Sequence, residues 1–225
     1  MEYVPNTLTS FRLVSPFLIL SAFFLLARPF GLWLALALFV FAALTDFLDG
    51  FLARRYDLQS EFGRVFDPIA DKVLVLVTGF GLLAAQLAAS GVLNVYLVIP
   101  FALILFRELF VSGLREGLAG TVTVPVTWAG KTKTAVQLLA IACLFALPIL
   151  GNRLSDLVQG MDDSTIAGIL NGAIEDVIGL KAAVARIEHA EILAIILFWV
   201  AAILSWVSGA QYVQSAAPHL RRKDT

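Results

Sequence analysis

The sequence predicts an all-α, polytopic membrane protein with six transmembrane helices. Three observations carry that prediction. Of the 225 residues, 60% are hydrophobic, against about 45–50% in a soluble domain. Apolar runs of bilayer-spanning length recur six times. Most links between them are short, and the basic residues gather on alternate links.

A helix needs about 20 apolar residues to cross the hydrocarbon core. The runs fall at roughly Leu8–Leu26, Phe30–Leu52, Asp67–Leu87, Leu93–Leu114, Thr132–Leu150 and Ala190–Val213. The start, MEYVPNTLTSFR, lacks the basic stretch and cleavage site of a signal peptide, so the first span is expected to stay. The second is uncharged from Phe30 to Leu44 and then carries Asp46 and Asp49. The third opens on Asp67 and Asp71, and its Gly79 and Gly81 suit close helix packing. The fourth holds Arg107 and Glu108 within it, and Lys131 and Lys133 stand at the start of the fifth. Between the fifth and sixth spans, Asn152–Glu188 forms a polar and mixed insert, with a short amphipathic helix expected around Ser164–Ala185. The whole of 1–225 reads as one membrane domain, with 152–188 as its insert.

Lys and Arg near span ends set orientation. With the N-terminus in the cytoplasm, Arg54, Arg55, Arg64, Arg115, Lys131, Lys133 and the tail Arg221–Lys223 all fall inside. Both termini are then cytoplasmic, the insert is extracytoplasmic, and the aspartates lie toward the cytoplasmic side. The net charge of −1 gives no reason to expect a nucleic-acid partner, and the single Cys143 can form no internal disulfide.

The segment TDFLDGFLARRYDLQSEFGRVFDPIADK, Thr45–Lys72, places four aspartates in two apolar helices. A lone carboxylate in hydrocarbon costs at least about 2.5–3.5 kcal/mol. Residues three and four apart share a helix face. Asp46 and Asp49 therefore share a face with Gly50 and Ala53, and Asp67 and Asp71 share one with Gly63 and Ala70. The short loop makes the two helices antiparallel neighbours. Four carboxylates without sulfur or imidazole suit hard divalent cations, and two such ions balance the charge. A two-metal site clamps the attacking and leaving oxygens in phosphoryl chemistry. The alternative is a set of bundle salt bridges to Arg54, Arg64 and Lys72. The regular spacing, with glycines on both faces, weighs against it.

The pattern Asp46-x2-Asp49-Gly50-x2-Ala53-Arg54-x8-Gly63-x3-Asp67-x3-Asp71 resembles the signature of the CDP-alcohol phosphatidyltransferases. VPNTLTSFRL, FRELFVSGLRE and WAGKTKTAVQ are similar to the flanks of the bacterial members that make phosphatidylglycerophosphate. The insert is longer than that family leads one to expect. The resemblance implies a six-helix enzyme of the bacterial inner membrane, acting as a homodimer among membrane lipids. It would move the phosphatidyl group from CDP-diacylglycerol to glycerol 3-phosphate and release CMP, with two Mg or Mn ions. It assigns Asp46, Asp49 and Asp67 to metal binding, and makes Asp71 both the catalytic base and a metal neighbour. Gly50, Ala53, Arg54 and Gly63 would lie against the CDP-lipid.

An alcohol acceptor must lose its proton as it attacks, which a nearby carboxylate such as Asp71 can take. The expected reaction is in-line displacement without a covalent enzyme intermediate. A glycerol phosphate dianion needs cations, and Arg107, Arg115, Lys131 and Lys133 supply them. The competing reading pairs Arg107 with Glu108 and makes the two lysines snorkelling anchors. Asn6, Thr9 and Arg12 share a face at the first-span entry. They either touch the diphosphate or cap the helix. His189, His219 and the Asp156, Asp162, Asp163 group read as surface features. Serine, inositol phosphate or phosphatidylglycerol could replace glycerol 3-phosphate as acceptor. From a different class, acids in a membrane also suit a divalent-cation transporter.

Overall fold

A computed structural model describes residues 3–56, 61–118 and 128–220, with the backbone alone for 3–6, 46–56, 61, 64, 128–131, 219 and 220. Eight helices follow one another among these residues: α1 Tyr3–Leu25, α2 Phe30–Tyr56, α3 Glu61–Ser90, α4 Val95–Gly117, α5 Trp128–Leu144, α6 Ala146–Leu157, α7 Asp163–Asn171 and α8 Leu180–Leu220. Long apolar segments run over Thr7–Leu25, Val65–Ser90, Val95–Gly117, Thr132–Leu157 and Leu180–Pro218, with a shorter one over Phe30–Thr45. The protein is an all-helical, polytopic membrane protein.

Each long helix is oily nearly all round, as a bilayer requires. Burial therefore follows a stripe rather than the polarity of the faces. On α1 the buried stripe runs Thr9, Arg12, Ser15, Ile19, Ala22 and Phe23, while Phe17, Leu18, Phe24 and Leu25 stay exposed. On α4 it runs Leu97, Phe101, Ile104, Arg107 and Val111. On α5 it runs Lys133, Gln137, Ala140, Ile141 and Leu144. Steps of three and four keep each stripe on one face. The stripes are apolar at mid-membrane and polar toward one end.

The bundle has two groups. α1 packs along α2 and α3, and α8 packs along α4, α5 and α6. α3 joins the groups by touching α4 and α5. Two glycines set how closely α3 approaches its neighbours. A Cβ on Gly79 would stand 2.5 Å from Phe101 Cε2 of α4, and one on Gly81 would stand 2.2 Å from Leu20 Cδ2 of α1. This is the close packing that their place in the third span suggests.

Three features differ from the simplest reading of the spans. The fifth breaks at Phe145 and continues as α6 to Leu157. Pro148 has no N–H to bond the Leu144 carbonyl, so the helix bends there. Within the insert, α7 occupies Asp163–Asn171, begun by an Asp162 cap and ended by Gly172 at φ 86°. The expected amphipathic helix is interrupted at 172–179, and its last residues belong to α8. The last helix starts at Leu180, ten residues before the apolar run, and is 41 residues long. Asp176 caps it, accepting from Leu180 N at 2.7 Å and Lys181 N at 2.9 Å.

The end of the bundle opposite the aspartates is tied by Glu191 of α8. Its Oε1 accepts from Asn94 Nδ2 at 2.7 Å and Gln86 Nε2 at 3.1 Å. Asn94 also caps α4 through Tyr96 N.

Candidate functional site

Successive spans reverse direction along the bundle. The start of α3, the end of α4, the start of α5 and the later part of α8 therefore gather at one end of the bundle. Two charged clusters occupy that end.

The first is acidic. Arg12, 1% exposed, reaches from α1 to two aspartates of α3. Its Nη2 donates to Asp67 Oδ1 at 2.7 Å and its Nη1 to Asp71 Oδ1 at 3.0 Å. Thr9 Oγ1 donates to the same Asp67 oxygen at 2.8 Å. These three bonds fall on Oδ1 atoms, and the carboxylate side chains are 43% and 42% exposed. The two acids are thus held by a buried guanidinium while their side chains remain partly exposed. Gly63 is buried one turn before Asp67.

On α2 the buried stripe Ala35, Phe39, Ala42 advances by four and three residues. Continued in that register along the same helix, the steps fall on Asp46, Asp49 and Ala53. The side chains of Asp46, Asp49, Gly50, Ala53 and Arg54 lie outside the described residues, as do those of Asn6 and Lys131. The donors of the cluster are carboxylate oxygens, which fits hard divalent cations.

The second cluster is basic. Glu108 Oε1 accepts from Arg107 Nη1 at 3.0 Å and also from Lys133 Nζ. Arg107 Nη2 donates to Ser208 Oγ of α8 at 3.0 Å, and Arg107 Nε is buried with no partner. Glu108 thus binds two cations from two helices, which leaves the cluster one positive charge in excess. Lys72, next to Asp71 on α3, lies within electrostatic range of Lys133, so the two clusters adjoin. Arg115 stands apart, two turns along α4, with its Cζ 5.7 Å from the Tyr212 ring centroid.

The structure thus brings together Thr9, Asp67 and Asp71, and separately Arg107 and Lys133. It does not bring Arg115 to them. Thr9 bonds an acid rather than capping its helix. Arg12 is the cation that the described residues show bonded to Asp67 and Asp71, and the side chains of Arg54 and Arg64, named in the salt-bridge alternative, lie outside them. The signal for it was a charge on the buried stripe of α1, three residues after Thr9. Ser208 gave no signal, since a serine in an apolar helix is ordinary. A groove of about 330 Å³ between α4 and α8 is lined mainly by apolar side chains such as Phe106, Phe110 and Trp206, and Arg107 and Gly209 stand in its wall.

Comparison with known proteins adds an independent line. Residues 2–163 match the family model described as CDP-alcohol phosphatidyltransferase. A CDP-diacylglycerol–glycerol-3-phosphate 3-phosphatidyltransferase of Cereibacter sphaeroides is 39% identical over 228 residues, covering 97% of each chain. One of Rickettsia bellii is 42% identical over 159 residues, 70% of this chain and 80% of the relative. One of Escherichia coli is 38% identical over 149 residues, 64% of this chain and 78% of the relative.

Proposed function

The chain belongs to the CDP-alcohol phosphatidyltransferase family, and from that premise we propose that it transfers the phosphatidyl group of CDP-diacylglycerol to glycerol 3-phosphate, giving phosphatidylglycerophosphate and CMP. Family membership favours group transfer over cation transport. The observation that carries the acceptor is the adjoining pair of clusters, one rich in carboxylate and one with surplus positive charge.

Asp46, Asp49, Asp67 and Asp71 would hold two divalent ions, Mg or Mn. Such ions supply Lewis-acid polarisation of the diphosphate and charge for the departing CMP. Gly50, Ala53, Arg54 and Gly63, with Asn6, line the CDP side. Arg12 and Thr9 hold Asp67 from behind, which fixes the direction in which its carboxylate opens. Four carboxylates and Arg12, with two divalent ions, would leave one positive charge, suited to a diphosphate.

The acceptor hydroxyl attacks the lipid-side phosphorus in line. Its proton passes to the Asp71 carboxylate as the new P–O bond forms. The bond from that phosphorus to the oxygen of CMP breaks, and CMP leaves with that oxygen. Arg107 and Lys133, with Lys131, orient the dianionic phosphate of the acceptor so that its hydroxyl faces Asp71. Arg115, stacked on Tyr212, takes at most an outer part in that pocket.

The family's reliance on divalent ions predicts loss of turnover on chelation. The chain is read as one catalytic membrane unit, a homodimer of the inner membrane, with the site and both termini cytoplasmic and 152–188 on the far side. The deciding experiment is CMP release from CDP-diacylglycerol in detergent, with each alcohol added separately. Release is expected with glycerol 3-phosphate and not without an acceptor. Release with serine, inositol phosphate or phosphatidylglycerol instead would reassign the acceptor. Exchange of CMP into CDP-lipid without any alcohol would replace direct displacement by a covalent route.

A further inference from the structure

The family match ends at residue 163, before α8 begins at Leu180. Yet α8 supplies two of the closest neighbours of Arg107. Ser208 Oγ accepts from Arg107 Nη2 at 3.0 Å. At the next residue, Gly209, a Cβ would stand 2.9 Å from Arg107 Nε, 3.2 Å from its Cγ and 3.6 Å from its Cδ. The arginine stem thus lies in the space that any other residue would fill. Arg107 is 7% exposed and its Nε is buried without a partner. A buried, unpaired guanidinium donor costs free energy. It is held there because Glu108 pulls from one side while Ser208 and the missing Cβ of Gly209 fix the other.

We propose that Ser208 and Gly209 of the last helix are positioning residues for the acceptor's phosphate, acting through Arg107. This rests on the glycerol phosphate reading and deepens it. The last helix then sets how well the headgroup is gripped, while the acids of α2 and α3 carry out the transfer. Ser208 and Gly209 touch neither the reacting hydroxyl nor the diphosphate. Their loss should weaken acceptor binding and leave turnover at saturation nearly intact.

The test varies glycerol 3-phosphate in the CMP-release assay for wild type, Gly209→Ala, Ser208→Ala and Ser208→Thr, with melting curves for each. Both alanine variants should raise the acceptor KM by about 10-fold or more, Ser208→Ala by removing a hydrogen bond to a charged group and Gly209→Ala by displacing the Arg107 stem. The kcat should stay within about 3-fold, and Ser208→Thr, which keeps the hydroxyl, should return KM close to wild type. If Gly209→Ala does not fold, the Ser208 pair decides alone. Acceptor KM values within about twofold of wild type in both alanine variants, or equal in Ser208→Ala and Ser208→Thr, would overturn the positioning role. A wild-type chain with no release driven by glycerol 3-phosphate would instead remove the acceptor reading itself, and this proposal with it.

Discussion

The two ion clusters at one end of the bundle are built on opposite plans. In the first, a single buried cation, Arg12, is shared by two acids that remain 43% and 42% exposed. In the second, a single acid, Glu108, is shared by two cations whose side chains are 8% and 10% exposed. Among the described residues, the first sets two half-exposed acids against one cation, and the second sets two buried cations against one acid. The difference supports the proposed division of labour between the clusters. An open, under-neutralised carboxylate pair can meet cations and a reacting hydroxyl. A closed, over-neutralised pair of cations can grip a phosphate but offers no base.

The largest test of that contrast is kinetic. Asp71→Asn should lower kcat by about 10³-fold, within the range for a lost general base. The acceptor KM should hardly move. Lys133→Met should do the reverse and raise the acceptor KM by about 10–100-fold, as for a lost charge-assisted bond, with a far smaller change in kcat. Steady-state CMP release reads both. If the two substitutions moved the same parameter, the division of labour would be wrong.

A second, smaller effect concerns Arg12. Arg12→Gln should destabilise the protein by about 1–3 kcal/mol, less than for a fully buried ion pair because the acids face solvent. Melting in detergent measures this, and an unchanged midpoint would mean that Arg12 is not the counter-ion of Asp67 and Asp71. Third, Glu108→Gln removes the only acid that the described residues show between Arg107 and Lys133. Inorganic phosphate should then raise the melting temperature more than it does for wild type, by ligand linkage. Equal shifts would place the anion site elsewhere.

Much of this was legible in the sequence. The six spans follow from apolar length. The stripe on α3 that carries Gly63, Asp67 and Ala70 follows from helical spacing alone. The early start of α8 was missed because LKAAVARIEH forms a good helix without being apolar, and hydropathy weighs only the second property. The bend at Phe145 was missed because Pro148, three residues on, lies in a stretch as apolar as the rest. Within the site, the aspartates announce themselves by repeating at fixed spacing. Their partner does not, since Arg12 lies 55 and 59 residues away and meets them only when α1 packs on α3. Ser208 lies 101 residues from Arg107, and spacing along one helix says nothing of such contacts.

The smallest effect lies far from both clusters and serves as a control. Bonds from the Ser164 and Thr165 hydroxyls and the Thr165 N–H hold the exposed Asp162 carboxyl down to about 2. An unfolded aspartate titrates near ~3.9. The contribution of this cap to α7 is therefore complete above about pH 4 and is lost as the pH falls through about 2. Amide exchange in α7, corrected for intrinsic rates, should quicken across that window in wild type and not in Asp162→Asn. Exchange that did not change with pH would remove the cap from the account.

Arg12 has one consequence for how the molecule waits between turnovers. A nest of like charges with nothing inside it tends to push its own walls apart. Here a resident guanidinium from α1 offsets part of that charge on α3 and ties the two helices together. A preparation stripped with a chelator should thus fall silent without coming undone, and regain its activity when magnesium is returned.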